Sequence, residues 1–186
     1  MITTTAEHPT RLTEPPLLAS VQPHFASTYT SRREHLGLSP EQLETLNRIL
    51  RNHEEPCTNT VFTRRGFLLG DSTGSGKGRI IASTIAEQAT TRAGHPSIWV
   101  SANQGLSRDA MRDLSDVCTR TETVPAVYVN DVDTFVSALR RNVSEVLFCS
   151  YHYLRVNVER ILLAIGTTRD PVIVFDESHI SKNAIG

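Results

Sequence analysis

Cysteine is scarce in this sequence, charge of one sign is not in excess, and long apolar runs are missing. The 186 residues include three cysteines, Cys57, Cys118 and Cys149, at distant positions. Because they are odd in number and lack paired spacing, they exclude a disulfide scaffold and a zinc site of the paired-cysteine type. The 19 Lys and Arg residues nearly balance the 20 Asp and Glu residues. This balance excludes a histone-like basic tail protein and a polyacidic chain.

The lack of long apolar runs excludes a membrane helix, which needs about 18 or more apolar residues in succession. The first residues also lack the basic and apolar regions of a secretory signal. We therefore expect an intracellular chain with no membrane partner, and the sparse cysteines agree with a reducing compartment. The length is sufficient for one domain with a core of its own.

The start of the chain has the composition of a tail. Residues 1–36 are rich in Thr, Ser and Pro and show no sustained apolar period. Such a segment cannot bury enough apolar surface to offset the entropy lost on ordering. We predict a disordered tail over residues 1–36 and a folded domain over residues 37–186.

The remainder alternates between helical patterns and short apolar runs. A first helix is predicted from Ser39 onward, because Ser39, Pro40 and Gln42 suit a capping box. Continuous apolar runs that alternate with helical stretches predict a parallel sheet covered on both faces, a doubly wound α/β fold. The five predicted strands are residues 66–70, 98–101, 126–129, 146–149 and 172–175, and the helical stretches between them are residues 79–89, 106–118, 132–141 and 151–165.

The segment after the first apolar run has the composition of a phosphate-binding loop. Residues 70–79 read Gly-Asp-Ser-Thr-Gly-Ser-Gly-Lys-Gly-Arg, between a predicted strand and a predicted helix. Glycines let backbone N–H groups turn inward, the helix N-terminus attracts anions, and Lys77 can reach the outer phosphates of a nucleoside triphosphate. This is a Walker A loop in which Gly78 replaces the hydroxyl residue that usually binds Mg²⁺. The loop residues predicted to hold the nucleotide are Asp71, Ser72, Thr73, Gly74, Ser75, Gly76, Lys77, Gly78 and Arg79.

The last apolar run ends in an acidic pair. Residues 172–175 are followed by Asp176 and Glu177, and His179 lies two positions further on. Four apolar residues followed by an acid are the Walker B layout, in which Asp176 holds Mg²⁺ through water. Glu177 is placed to orient and deprotonate an attacking water. We therefore predict that Lys77, Asp176 and Glu177 are the catalytic residues.

In their order along the chain, these blocks resemble the ATPase domain of the strawberry notch family, among the superfamily 2 helicase-like ATPases of the Asp-Glu-x-His type. The resemblance covers residues 38–186, and Gly-Lys-Gly-Arg at residues 76–79 is the form of the loop in that family. Further matching blocks are residues 99–103, 112–114, 146–151 and 172–183. Ser178 departs from the Cys that is usual in the family.

The resemblance implies a RecA-like P-loop NTPase lobe that binds ATP with Mg²⁺. It also implies a nucleic-acid partner, DNA ahead of RNA, together with transcription or chromatin factors, and a nuclear location in a eukaryote. Among related helicases, a glutamine before the phosphate loop reads adenine, and Gln42 lies in that position. The capping box explains Gln42 without any ligand, so both interpretations stay open.

The sequence stops shortly after the acidic pair, so we expect an incomplete first lobe with an exposed apolar edge, lacking a second RecA-like lobe and its arginine finger. Two functions follow from these observations. One is an ATPase that couples hydrolysis to nucleic-acid or chromatin remodelling in the full-length protein, with weak or no turnover by the isolated chain. The other is a non-catalytic nucleotide-binding or protein-interaction scaffold that acts in transcription.

Overall fold

The computed structural model describes residues 37–55, 64–70, 74–118, 123–167 and 170–179. The predicted tail over residues 1–36 lies outside this part of the chain, so its disorder stays a prediction. The elements found in the described ranges are α1 (Pro40–Glu54), α2 (Lys77–Thr91), β1 (Ser97–Ser101), α3 (Leu106–Val117), β2 (Ala126–Tyr128), α4 (Val132–Arg140), β3 (Val146–Ser150), α5 (Tyr151–Val156), α6 (Val158–Ile165) and β4 (Val172–Phe175).

The four strands form one parallel sheet in the order β2-β3-β1-β4. In its register, Trp99 of β1 lies between Phe148 of β3 and Val174 of β4. The carboxyl ends of parallel strands meet at one edge of a sheet, where ligands of doubly wound folds bind. This edge therefore positions the candidate site.

Helices pack on both faces of the sheet, as the sequence predicts. On one face, Ile98, Val100 and Leu147 pack with residues of α4 and α6, among them Phe135 and Ile161. On the other face, alternate strand residues pack with α2 and α3: the members of that cluster are Ala82, Ile85, Ala86, Trp99, Ala110, Leu114, Val117, Val146 and Phe148. Successive side chains of a strand point to opposite faces, so uninterrupted apolar runs supply both cores.

Local signals set where the helices begin and end. The predicted capping box of α1 is formed: Gln42 N–H donates to Ser39 Oγ at 3.3 Å, and Ser39 N–H donates to Gln42 Oε1 at 2.9 Å. The single helix predicted over residues 151–165 is instead two helices, because Asn157 has φ −113° and ψ 15°. Its side-chain amide donates to the carbonyl of Tyr153, which competes with helix continuation.

The predicted first strand, residues 66–70, is not a strand in the structure. A strand is completed by backbone pairing with a neighbour, and none of the strands in the described ranges pairs with this segment. Leu68 is 85% exposed, which also shows that the segment is not packed as a core strand. The prediction of five strands is therefore wrong for this part of the chain.

Candidate phosphate-binding site

The end of the glycine-rich loop and the start of α2 have the geometry of an anion site. Gly74 and Gly76 have φ of 84° and 80°, a conformation that glycine adopts without steric cost. Gly76 is the N-cap of α2, and Lys77 is its first helical residue. The loop therefore ends at the positive end of a helix, an arrangement that favours phosphate. Asp71, Ser72 and Thr73 lie outside the described residues.

The acidic pair is held at the carboxyl end of β4. The N–H of Asp176 donates to the carbonyl of Val100 at 2.9 Å, and Ser101 Oγ lies 3.3 Å from Asp176 Oδ2. The hydroxyl of Tyr151 donates to the Asp176 carbonyl at 2.9 Å. The neighbouring strand β1 and the start of α5 thus fix the position of Asp176 at the end of β4.

The Tyr151 hydroxyl keeps its hydrogen at neutral pH and so remains a hydrogen-bond donor. Burial raises the pKa of Tyr151 to about 12, and the negative charges of Asp176 and Glu177 act in the same direction. Its ring stacks on Phe175 with centroids 6.4 Å apart. Tyr151 was not predicted as a site residue, because the sequence does not show that its hydroxyl reaches the acidic turn.

Glu177 and His179 form a pair beside Asp176. Glu177 has φ 54°, a strained conformation for a residue with a side chain. Its Oε2 lies 3.2 Å from Nδ1 of His179. The turn places both side chains in the lining of the same cavity as Asp176.

Lys77, Asp176, Glu177 and His179 all line one open cavity of about 1450 Å³. The structure therefore brings together the three residues predicted as catalytic, although the lysine and the acidic pair are far apart in the chain. Their roles stay predictions, but their placement around a common space is what those roles require.

Gln42 contacts the phosphate loop directly. Its Nε2 donates to the carbonyl of Ser75 at 2.9 Å, while its Oε1 completes the capping box. A Cβ built on Gly76 would overlap Gln42 Nε2, so the amide packs closely against the loop. The amide that would read adenine is thus already bonded at both ends to the protein.

Gly78 and Arg79 face helix α3. A Cβ on Gly78 would overlap Asp113 Oδ2 and lie 3.3 Å from Asp113 Cγ. The Arg79 guanidinium donates to the Gly37 carbonyl at 3.2 Å and lies 3.4 Å from Asp116. The sequence predicts that Arg79 binds the nucleotide, and it does not predict the contact made by Asp113. Asp113 belongs to a block that resembles the strawberry notch family, but this block carries no chemical signal of its own.

The donor set fits a triphosphate with Mg²⁺. A lysine at a helix N-terminus suits phosphate oxygens, and carboxylates suit a hard cation. Among the described residues, no group of three or more His, Cys, Asp or Glu side chains is placed to hold a metal ion. Mg²⁺ commonly needs only one or two carboxylates when phosphates and water complete its shell, and the carboxylate of Asp176 fits such a requirement.

No helix in the described ranges is both long and apolar enough to cross a membrane.

Comparison with known proteins identifies a matching family model and several similar proteins. Residues 7–186 match the family model described as "P-loop containing NTP hydrolase pore-1". The chain is 34% identical to Protein strawberry notch homolog 2 of Mus musculus, over 96% of this chain and 14% of that protein. It is 32% identical to Protein strawberry notch homolog 1 of Homo sapiens, over 95% of this chain and 14% of that protein. It is 29% identical to Protein FORGETTER 1 of Arabidopsis thaliana, over 96% of this chain and 14% of that protein.

The chain therefore spans about one seventh of the length of these curated relatives, since each alignment covers 14% of the relative. No solved structure matches the chain.

Proposed function

Because this chain belongs to the P-loop containing NTP hydrolase pore-1 family, as a strawberry notch-type P-loop domain, we propose that it binds ATP with Mg²⁺ and is the site of ATP hydrolysis in a larger protein. In that protein, hydrolysis is coupled to the remodelling of nucleic acid. The observation that carries the proposal is the common cavity lined by Lys77, Asp176 and Glu177.

Each of these side chains has one role in the proposed reaction. Lys77 and the first N–H groups of α2 bind the outer phosphates and orient them. Asp176, fixed by Val100, Ser101 and Tyr151, holds Mg²⁺ through water. When bound, Mg²⁺ neutralises negative charge on the phosphate oxygens. Glu177 accepts a proton from the attacking water at its carboxylate.

The nucleic-acid part of the proposal rests on the resemblance of the sequence blocks. DNA is the proposed substrate ahead of RNA, with transcription or chromatin factors as partners and a nuclear location in a eukaryote. The balanced charge of this chain gives little electrostatic attraction for a phosphate backbone. We therefore propose that the DNA is held mainly by other parts of the full-length protein, including a second RecA-like lobe with an arginine finger.

Titration with a fluorescent ATP analogue in the presence of Mg²⁺ tests the binding step. Replacing the lysine in Lys77→Ala removes the charge that faces the phosphates, so we expect affinity to fall at least tenfold, equivalent to about 1.4 kcal/mol. Glu177→Gln keeps the shape of the side chain but removes the base, so it retains binding and loses any turnover. Turnover is measured by phosphate release, with and without DNA.

Two exposed side chains outside the cavity provide matched controls. Arg140→Ala removes a cation from the end of α4, and Glu159→Gln neutralises an acid on α6; both are expected to behave as the wild-type chain. Equal affinity of the wild-type chain and Lys77→Ala would contradict the proposal.

A non-catalytic scaffold is the second candidate function. It is favoured by the apolar side chains around the same cavity, among them Leu68 and Phe175, which are exposed. Exposed apolar surface of this kind marks sites of protein association. Binding of nucleotide without turnover in the full-length protein, under conditions where DNA is bound, would favour this function over the first.

A further inference from the structure

The residue after the loop lysine is a glycine in a place where there is no room for a side chain. In the usual Walker A pattern that residue has a hydroxyl group, yet here a Cβ on Gly78 would overlap Asp113 Oδ2. The Asp113 side chain is only 18% exposed, and its Cγ as well as its Oδ2 lies close to the Cβ position, so the whole carboxylate would have to shift to admit a side chain. The glycine and the carboxylate are therefore sterically matched across the contact between α2 and α3.

The neighbours of Asp113 do not otherwise explain its position. Arg112 Nη2 lies 4.0 Å from Asp113, but the same guanidinium lies closer to Asp109, at 3.1 Å. The charged groups that act on Asp113 are Arg112, Arg79, Asp116 and Asp109. These residues lie on α3 or at the start of α2, so Asp113 belongs to the helix contact and not to the acidic end of β4.

The phosphate loop is thus held from two sides. On one side, Gln42 of α1 bonds to the Ser75 carbonyl and packs against Gly76. On the other side, α3 contacts Gly78 through Asp113 and Arg79 through Asp116. The lysine that faces the phosphates lies between these two contacts in the chain.

We propose that Asp113 is a positioning residue for the phosphate loop: its carboxylate, packed against Gly78, fixes the first turn of α2 and with it the place of Lys77. Gly78 and Asp113 form a sterically coupled pair, so a change in the size of either side chain alone displaces the loop. The ligand whose binding depends on this positioning is the nucleoside triphosphate. This part of the inference rests on the proposed function.

The test is a pair of single variants and their combination. Gly78→Ala adds only a Cβ, and alanine inside a helix is ordinarily more stable than glycine. Against Asp113, the same Cβ has no space, so we expect Gly78→Ala to lower the melting temperature by roughly 2–10 °C. In the Asp113→Ala background the space is open, and Gly78→Ala is expected to raise the melting temperature.

Nucleotide affinity should follow the same pattern. With the fluorescent ATP analogue and Mg²⁺ as the probe, Gly78→Ala is expected to weaken binding about tenfold. Asp113→Ala should weaken it less, and the double variant should bind more tightly than Gly78→Ala alone. Asp113→Asn keeps the shape of the side chain and should bind as the wild-type chain does. Asp109→Ala, one turn earlier on α3 and exposed, is the matched control.

The sign of the change in melting temperature decides the inference. Stabilisation by Gly78→Ala in both backgrounds would overturn it, as would equal destabilisation in both. If Gly78→Ala does not fold, recovery of folding in the double variant supports the coupling, and failure of both refutes it. If the wild-type chain binds no nucleotide, the proposed function fails, while the reversal of sign in stability still tests the Gly78–Asp113 pair.

Discussion

The side-chain amide of Gln42 makes hydrogen bonds to two parts of the fold at once, the start of α1 and the phosphate loop. Its Oε1 caps α1 through the Ser39 N–H, and its Nε2 bonds to the Ser75 carbonyl of the phosphate loop, both at 2.9 Å. The two interpretations left open by the sequence, helix cap and adenine reader, are therefore joined by a third: a tether between α1 and the loop. With both ends of the amide engaged, adenine reading would require breaking one of these bonds.

Replacing this glutamine separates the three roles. We expect Gln42→Ala to lower the free energy of unfolding by about 1 kcal/mol through loss of the capping box. We also expect it to weaken ATP and GTP binding to the same extent, because the tether acts on the loop that holds the phosphates common to both. Urea unfolding and titration with each nucleotide measure the two effects.

Ser39→Ala is the matched control, since it removes the cap hydroxyl and leaves Gln42 bonded to Ser75. It should reduce stability to a similar degree with little change in nucleotide affinity. If Gln42→Ala instead lost a preference for ATP over GTP while its affinity for GTP stayed unchanged, the adenine-reading role would be supported.

At the scale of single residues, the chemical role of a side chain is easier to predict from the sequence than its contacts with distant residues. Lys77, Asp176 and Glu177 are recognisable because each follows a strand or loop pattern whose end faces the ligand edge of the sheet. The contact of Asp113 with Gly78 has no such signal, because it depends on how α2 and α3 pack. Backbone geometry such as the φ of 54° at Glu177 is equally hidden.

At the scale of elements, α4 shows how one cap ties helix stability to pH. Asp131 is its N-cap, and its Oδ2 accepts a hydrogen bond from the Thr134 N–H at 2.7 Å. This bond lowers the pKa of the Asp131 carboxyl below its ordinary value. A carboxyl with a lowered pKa in the folded state stabilises that state above its unfolded pKa, and the contribution is lost as pH falls through the folded pKa.

The corresponding prediction concerns Asp131→Ala. At pH 7 we expect this variant to melt at a lower temperature than the wild-type chain, because the cap and its charge are both missing. The difference should shrink as pH falls below about 4, the region in which the aspartate protonates. Asp131→Asn, which keeps a neutral cap, should differ from Asp131→Ala by an amount that does not change over this range. A wild-type advantage over Asp131→Ala that grows on acidification would contradict the assignment.

Element positions along the chain were predictable because their signals are local. The strands at 97–101, 126–128, 146–150 and 172–175 agree with the apolar runs, and Asn157 supplies the break that a purely periodic pattern overlooks. The order of the strands and the state of residues 66–70 depend on pairing between distant segments. Apolar content alone could not show that residues 66–70 would remain unpaired in the described structure.

At the scale of the whole molecule, the described sheet has two edge strands, β2 and β4, and β4 is the one that lines the candidate site. Among the described strands it pairs with β1 alone, and Ile173 and Phe175 are 38% and 53% exposed. Both line the cavity beside residues 66–70. Backbone groups on an edge strand can pair with another chain.

We therefore expect the chain to self-associate in solution as its concentration rises. Ile173→Lys places a charge on the open strand and should shift the population toward monomer, because a lysine on an edge strand opposes further pairing. The measurement is sedimentation velocity over a concentration series.

Val143→Lys is the matched control: Val143 is 46% exposed, lies outside the strands and does not line the cavity. It should associate as the wild-type chain does. A wild-type chain that stays monomeric throughout the series would show that the open edge is protected, whereas an equal effect of both lysines would assign the association to net charge and not to β4.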